Sequence, residues 1–189
     1  MIDLTINLNA KLQPKHRHDL EDVLQEMLQK LEIEIEITGG GTMQELSGEI
    51  AFCDIEIRLV DNSDENIKKI IGVMESMLAP VGSHLIFHPK GENSEVKKIP
   101  FGAHEGLGLY LNGKDLSDEI YKNYDVNFVY QEIERLLGDF KTGHIASHWE
   151  GEETALYLYG KSFDEMHTLI KPLLDKYPLC QKCRVVKIA

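Results

Sequence analysis

The pair Cys180-Gln181-Lys182-Cys183 has the residue types and spacing for chemistry, because two thiols so placed serve redox exchange or metal binding. Redox activation wants the first thiol at a helix start, where the helix dipole favours the thiolate. Here Arg184 to Ile188 follow, a stretch that reads as a strand, so that activation is missing. Zinc needs four ligands, and no second C-x-x-C occurs. His144 and His148 would have to complete the set, yet four residues along a strand separate them by ~13 Å. The pair therefore reads as ordinary turn cysteines, and Cys53, alternating with Ile55, as a small core residue. Gly39-Gly40-Gly41-Thr42 follows a strand, as phosphate loops do, but neither a Lys-Ser/Thr pair nor a helix start comes next. It reads as a flexible hairpin loop. His16, His18, His84 and His88 form no triad or metal motif, and no P-loop, G-x-S-x-G or H-E-x-x-H occurs. Carboxylates are abundant but fall on exposed strand faces, without the apolar burial that would raise one pKa for acid catalysis. The expectation is a non-enzymatic protein with no catalytic residue, no metal site and no cofactor.

The elements that carry these residues read as one unit written twice. Residues 2–8 alternate apolar and polar as a strand does, and Pro14 to Lys30 is a helix with Leu20, Val23, Leu24, Met27 and Leu28 on one face. LEIEIEI (31–37) alternates almost perfectly and pairs across the glycines with a strand from Ile50 to Val60. Ser63 caps a helix bearing Ile67, Ile70, Ile71, Met74 and Leu78, and Ser83 to His88 returns as a strand. From Gly106 the order recurs. It runs through a strand at 107–113, a helix from Asp125 to Leu137 stopped by Gly138, strands near 143–150 and 153–159, a helix after the capping box Ser162 to Glu165, and a last strand from Arg184 to Ile188. LTINLNAKL and LGLYLNGKDL are its matching phrases.

This βαββαβ order resembles the ferredoxin-like fold, in tandem. The fold class implied is α+β, with antiparallel sheets that carry helices on one face and leave the other open. The expected units are 1–90 and 101–189, with PKGENSEVKKIP as polar, proline-bounded material whose residues 91–100 form a linker.

Alternation assigns the open faces. Leu31, Ile33, Ile35 and Ile37 point to the helices, which sends Glu32, Glu34 and Glu36 outward. Cys53, Ile55, Ile57 and Leu59 point inward, which sends Asp54, Glu56 and Arg58 outward beside Asp3, Thr5 and Asn7. The chain carries 32 acidic and 20 basic residues, net -12, and residues 1–90 hold 16 acidic against 8 basic of these. Part of the excess thus gathers on one sheet face, a plate of carboxylates with one guanidinium. Like charges across adjacent strands oppose folding by tenths of a kcal/mol per pair, on the order given by cross-strand pairing. A partner would offset that, although any half-solvated sheet shows a polar outer face. The second unit differs. Tyr110, Tyr157 and Tyr159 face outward, with His144 and His148 on one side of the neighbouring strand opposite Trp149. Such a face suits a planar ligand, a partner or packing against the first unit.

Composition excludes several classes. The apolar runs fall far short of the ~20 residues of a spanning helix, the first residues have no signal-peptide pattern, and three cysteines make no disulfide framework. A cytoplasmic protein is expected. The negative charge argues against nucleic acid and anionic membrane and for a basic protein partner. In size, acidity and stretches such as GEIAFCDIEIRLVD, TALYLYG and YPLCQKCRVVKIA, the chain resembles acidic immunity proteins of bacterial toxin systems, contact-dependent inhibition among them. The resemblance implies neutralisation of a basic toxin, such as a nuclease, whose cleft Glu32, Glu34, Glu36, Asp54 and Glu56 would contact. The alternative is a regulatory protein that senses a metabolite held between its two units.

Overall fold

The computed structural model describes residues 1–88, 96–138 and 140–189. They divide into two units, Met1–Ala103 and His104–Ala189, each built on its own antiparallel sheet.

Unit 1 starts with β1 (Ile2–Leu8), where Leu4, Ile6 and Leu8 are buried and Asp3, Thr5 and Asn7 alternate to the other face. Pro14 opens α1 (Pro14–Lys30), at a position where its missing amide leaves no bond unmade. The hairpin β2 (Ile35–Gln44) and β3 (Ile50–Leu59) follows, then α2 (Asp64–Ser76), capped by the Ser63 hydroxyl accepting from the Asn66 amide, and β4 (Ser83–Phe87). Cys53, Ile55, Ile57 and Leu59 of β3 are fully buried, as are Leu24, Leu28 and Ile70 of the helices. These side chains form the unit's core.

Two parts of unit 1 depart from expectation. β2 does not begin at Leu31. The amides of Leu31, Glu32 and Ile33 bond back to the carbonyls of Leu28 and Gln29, because the last carbonyls of a helix need donors, and Glu32 adopts a left-handed φ of 57° to make the turn. β2 then runs through Gly39 to Gly41 rather than stopping there, and the hairpin turns at residues 45–49 with Gly48 at φ 85°. The end of the expected linker 91–100 is strand. Its residues 91–95 lie outside the described residues, while Lys97–Phe101 forms β5, paired antiparallel with β4. Alternating Lys97, Ile99 and Phe101 are a strand pattern that two lysines and Pro100 obscured; a strand at a sheet edge tolerates proline.

Unit 2 runs β6 (Glu105–Asn112), α3 (Asp118–Asn123), α4 (Val126–Leu137), β7 (Gly143–Glu150), β8 (Glu153–Gly160), α5 (Phe163–Lys176) and β9 (Arg184–Lys187). Gly138 stops α4 in the left-handed conformation, φ 72°, and the Ser162 hydroxyl caps α5 by accepting from the Glu165 amide. Leu107, Leu109, Val129, Ile133, Leu158, Met166 and Ile170 are its core. The short α3 buries no residue, so no apolar periodicity announced it.

The strand orders are β2-β3-β1-β4-β5 and β7-β8-β6-β9. In both, the third strand of the repeat lies between the first and second, and the fourth flanks the first. This is the ferredoxin-like split βαβ arrangement, twice. Both sheets thereby have one face on the helices and one face that the helices leave open.

Candidate partner-binding face

On unit 1 the open face is fixed by strand register. Asp3 pairs with Arg58 and Arg58 with Glu36; Thr5 pairs with Glu56 and with Ile86; Asn7 pairs with Asp54 and with His84. A bulge at Thr38 shifts the parity of β2, since Ile37 still faces Ile57 but Gly39 faces Glu56. After the bulge Gly39 and Gly41 lie on the open face and Gly40 and Thr42 on the helix face. The edge of the plate therefore presents bare backbone beside Glu56 and Asp54.

Gly40 has a reason to be glycine. A Cβ there would lie 2.5 Å from the Asp54 carbonyl oxygen, 2.9 Å from Glu21 Oε1 and 3.2 Å from Arg17 Nε. Arg17 is buried, and its Nε donates to Glu21 Oε1 at 2.9 Å while Thr42 Oγ1 donates to the Leu12 carbonyl. An ion pair beneath a sheet needs close geometry to offset its desolvation, and the missing side chain leaves the room.

The five residues expected at the site are not all together. Glu36, Asp54 and Glu56 share the open face. Glu34 precedes β2, exposed, its carbonyl accepting from the Val60 amide. Glu32 sits in the turn that ends α1, off the sheet altogether. The carboxylates that remain are also less alike than their charges. Arg58 Nε donates to Asp3 Oδ1 at 2.9 Å and its NH1 to Glu36 Oε2 at 3.2 Å, so one guanidinium bridges two strands. The hydrogen bond that Arg58 donates to Asp3, then the charges of Asp3 and Glu36, hold the Arg58 pKa above its usual value. Asp54 accepts from Asn7 Nδ2 at 2.7 Å. Glu56 lies over Gly39, where its Oε2 would be 3.0 Å from an added Cβ.

Sequence reasoning missed the other side of the face. Lys98 of β5 pairs with Ile86 in the row of Thr5 and Glu56, and Thr5 Oγ1 shares a 2.6 Å hydrogen bond with His88 Nε2. Asp3, Glu36, Asp54 and Glu56 thus share their face with Arg58, bonded to two of them, and with Lys98 at the far edge of the sheet. The alternation of β5 was the signal that would have placed Lys98.

The open face of unit 2 has other chemistry. Its rows are His144, Tyr159 and Gly106; Ser147, Tyr157 and Gly108 with Val186; and Trp149, Ala155 and Tyr110 with Arg184. A bulge between Ile145 and Ser147 puts Trp149 on the face of His144 and turns His148 to the other, which reverses the expected pairing. Tyr110 and Tyr157 meet edge to face, ring centres 6.3 Å apart, and both are buried, as is Tyr159. Arg184 stacks 4.4 Å from the Tyr110 ring centre while its guanidinium donates to both carboxylate oxygens of Glu153. Phe140 stacks on His144 at 4.2 Å, the His144 Nδ1 has no hydrogen-bond partner, and burial lowers its pKa to about 4.

Cys180 closes a short helical turn, Pro178–Cys180, after α5, and is buried; Cys183 is half-buried. Burial pushes the thiols of Cys53 and Cys180 up to about 12. Among the described residues no group of three or more His, Cys, Asp or Glu is placed to hold a metal ion, and no helix is long and apolar enough to cross a membrane.

No family model and no curated protein matches the chain. Among solved structures, it is similar to the first two RRM domains of yeast poly(U)-binding protein, at 10% identity over 99% of both chains with a TM-score of 0.26. An unknown protein of Galdieria sulphuraria aligns at 11% identity over 98% of this chain and 96% of that one, TM-score 0.30. A mutant chlorite dismutase of Candidatus Nitrospira defluvii aligns at 10% identity over 98% and 90%, TM-score 0.30. At these values the three carry no function over to this chain.

Proposed function

We propose that the chain is a non-enzymatic binding protein that engages a basic protein partner through the open face of unit 1, as an immunity protein engages a bacterial toxin. The observation that carries this reading is the set Glu36, Asp54 and Glu56, which strand register puts on the one sheet face that no helix of the unit covers. The two central strands, β1 and β3, place Asp3, Thr5, Asn7, Asp54, Glu56 and Arg58 there, with Phe52 beyond Asp54 as their one ring, so the face is acidic where single-stranded RNA wants cations and several stacking rings. A flat polar surface of negative sign matches a positive cleft, and charge complementarity of this kind speeds association and makes it salt-sensitive. Glu36, with its side chain two-thirds exposed, and Glu56 are the contacts of choice; Glu34, just before β2, comes next, and Glu32 falls outside the face.

The test is titration of the purified chain against the purified product of the open reading frame beside its gene, at 50 and 300 mM salt. Complex formation that weakens with salt, and at least tenfold weaker binding by the triple variant E36K/D54K/E56K, are expected. Equal affinity of the variant and the parent would remove the face from the function.

A further inference from the structure

We propose that Cys180 and Cys183 form a reversible dithiol–disulfide pair whose oxidation by a low-molecular-weight disulfide ties the end of α5 to the start of β9. The geometry is that of a tight turn. The Cys183 amide donates to the Cys180 carbonyl at 3.2 Å, and Lys182 takes a left-handed φ of 57° between them. A four-residue turn closed by such a bond brings its first and last Cα within ~7 Å, and a disulfide spans Cα separations of ~4.4–6.8 Å. The backbone is therefore already at bridging distance, and the turn is held from outside as well, by Lys182 Nζ donating to the Asp115 carbonyl at 2.8 Å. Burial first, and then the neighbouring Cys183, raise the pKa of the Cys180 thiol, which places the two sulfurs within electrostatic reach.

The two sulfurs differ in access, which sets the order of events. Cys183 is half-buried and meets the oxidant first; Cys180 is 2% exposed and packs in the core with Leu179. With oxidised glutathione, the Cys183 sulfur loses its proton and displaces one glutathione thiolate, forming a mixed disulfide. Cys180 then loses its proton and attacks the Cys183 sulfur, and the second glutathione thiolate leaves. Two protein thiols and one glutathione disulfide become one protein disulfide and two glutathione thiols, with both electrons passing to glutathione and both protons to the leaving thiolates. Both thiols are held protonated by burial, so the exchange is slow and suits a lock better than a catalyst. The third cysteine, Cys53, is fully buried in unit 1 and serves as the internal reference.

The experiment is incubation of the full chain with oxidised glutathione, acid quenching, unfolding, alkylation with N-ethylmaleimide and intact-mass measurement. Three adducts fall to one, with a loss of 2 Da in the protein, and dithiothreitol restores three. The variant C53S goes from two adducts to none, which assigns the bond to Cys180 and Cys183. The variant C183S keeps its two alkylatable thiols. Persistence of three adducts in the folded chain after prolonged oxidation, when the urea-unfolded chain does form the bond, would overturn the proposal. So would covalent dimers in place of the internal bridge.

Discussion

The two open sheet faces occupy the same place in the same topology and have been filled in opposite ways. On unit 1 the first and third strands oppose Asp3 to Arg58, Thr5 to Glu56 and Asn7 to Asp54; on unit 2 they oppose Gly106 to Tyr159, Gly108 to Tyr157 and Tyr110 to Ala155. Two of the polar pairs of the first face satisfy themselves locally, Asp3–Arg58 through a guanidinium and Asn7–Asp54 through an amide, while Thr5 turns to His88, and all stay at least partly in contact with water. The pairs of the second combine a ring with a glycine or, for Tyr110, an alanine. A Cβ at Gly106 would come within 2.8 Å of the Tyr159 ring, and one at Gly108 within 2.8 Å of the Tyr110 ring, so the glycines are the seats of the tyrosines. The difference teaches that one backbone arrangement supports a solvated recognition surface or a buried aromatic layer, according to the side chains at a few register positions.

The largest effect expected from this contrast is at matched positions of the third strands. Tyr157→Ala, which removes a fully buried ring, should lower stability by about 3–5 kcal/mol, whereas Glu56→Ala should leave the urea midpoint unchanged. Similar losses at both sites would erase the distinction between the faces.

Acid should separate them next. Burial keeps His144 neutral in the folded chain until about pH 4, well below the ordinary histidine value of about 6.5. Because the unfolded chain takes up the proton first, stability is full above pH 6.5 and falls as pH drops towards 4. The slope corresponds to a loss on the order of 2–3 kcal/mol across that window. Replacing His144 by Asn should flatten the dependence measured by denaturant unfolding between pH 7 and 4. An unchanged acid slope in that variant would mean that His144 is not the group responsible.

A smaller effect distinguishes two neighbours on β2. Gly40→Ala should cost about 1–3 kcal/mol, by forcing a methyl against the Asp54 carbonyl and the Arg17–Glu21 pair. Gly41→Ala meets nothing within 4 Å and should fold as the parent does. Thermal unfolding of the two variants side by side checks this; a larger loss for Gly41→Ala than for Gly40→Ala would contradict the bulge at Thr38, which puts Gly40 rather than Gly41 on the helix face. The smallest effect belongs to Arg58→Ala, an exposed bridge whose loss should be undetectable in 1 M salt and should instead make the face more negative.

Periodicity made most of the architecture legible. Leu4, Ile6 and Leu8, or Ile67, Ile70 and Met74, can bury themselves only as a strand and as a helix, and Pro14, Ser63, Ser162 and Gly138 mark ends for stereochemical reasons that act locally. The candidate face was legible in β3, where Cys53 to Leu59 alternate without interruption. It was misread in LEIEIEI. The same alternation serves the end of α1 and the start of β2, and only the capping bonds at Leu28 and Gln29 decide between them.

What the amino-acid sequence determined by itself is the repeat of βαββαβ, the sign of the charge and the identity of the buried stripe in each strand, because all three depend on composition and on periods of 2 and 3.6 residues. What only the tertiary structure decided is which charges meet. Bulges at Thr38 and Ala146 shift each later side chain to the opposite face, β5 brings Lys98 onto the far edge of the carboxylate-bearing face, and Arg58 reaches across two strands to Asp3 and Glu36. Register between strands far apart in the chain is set by packing, and no local pattern carries it.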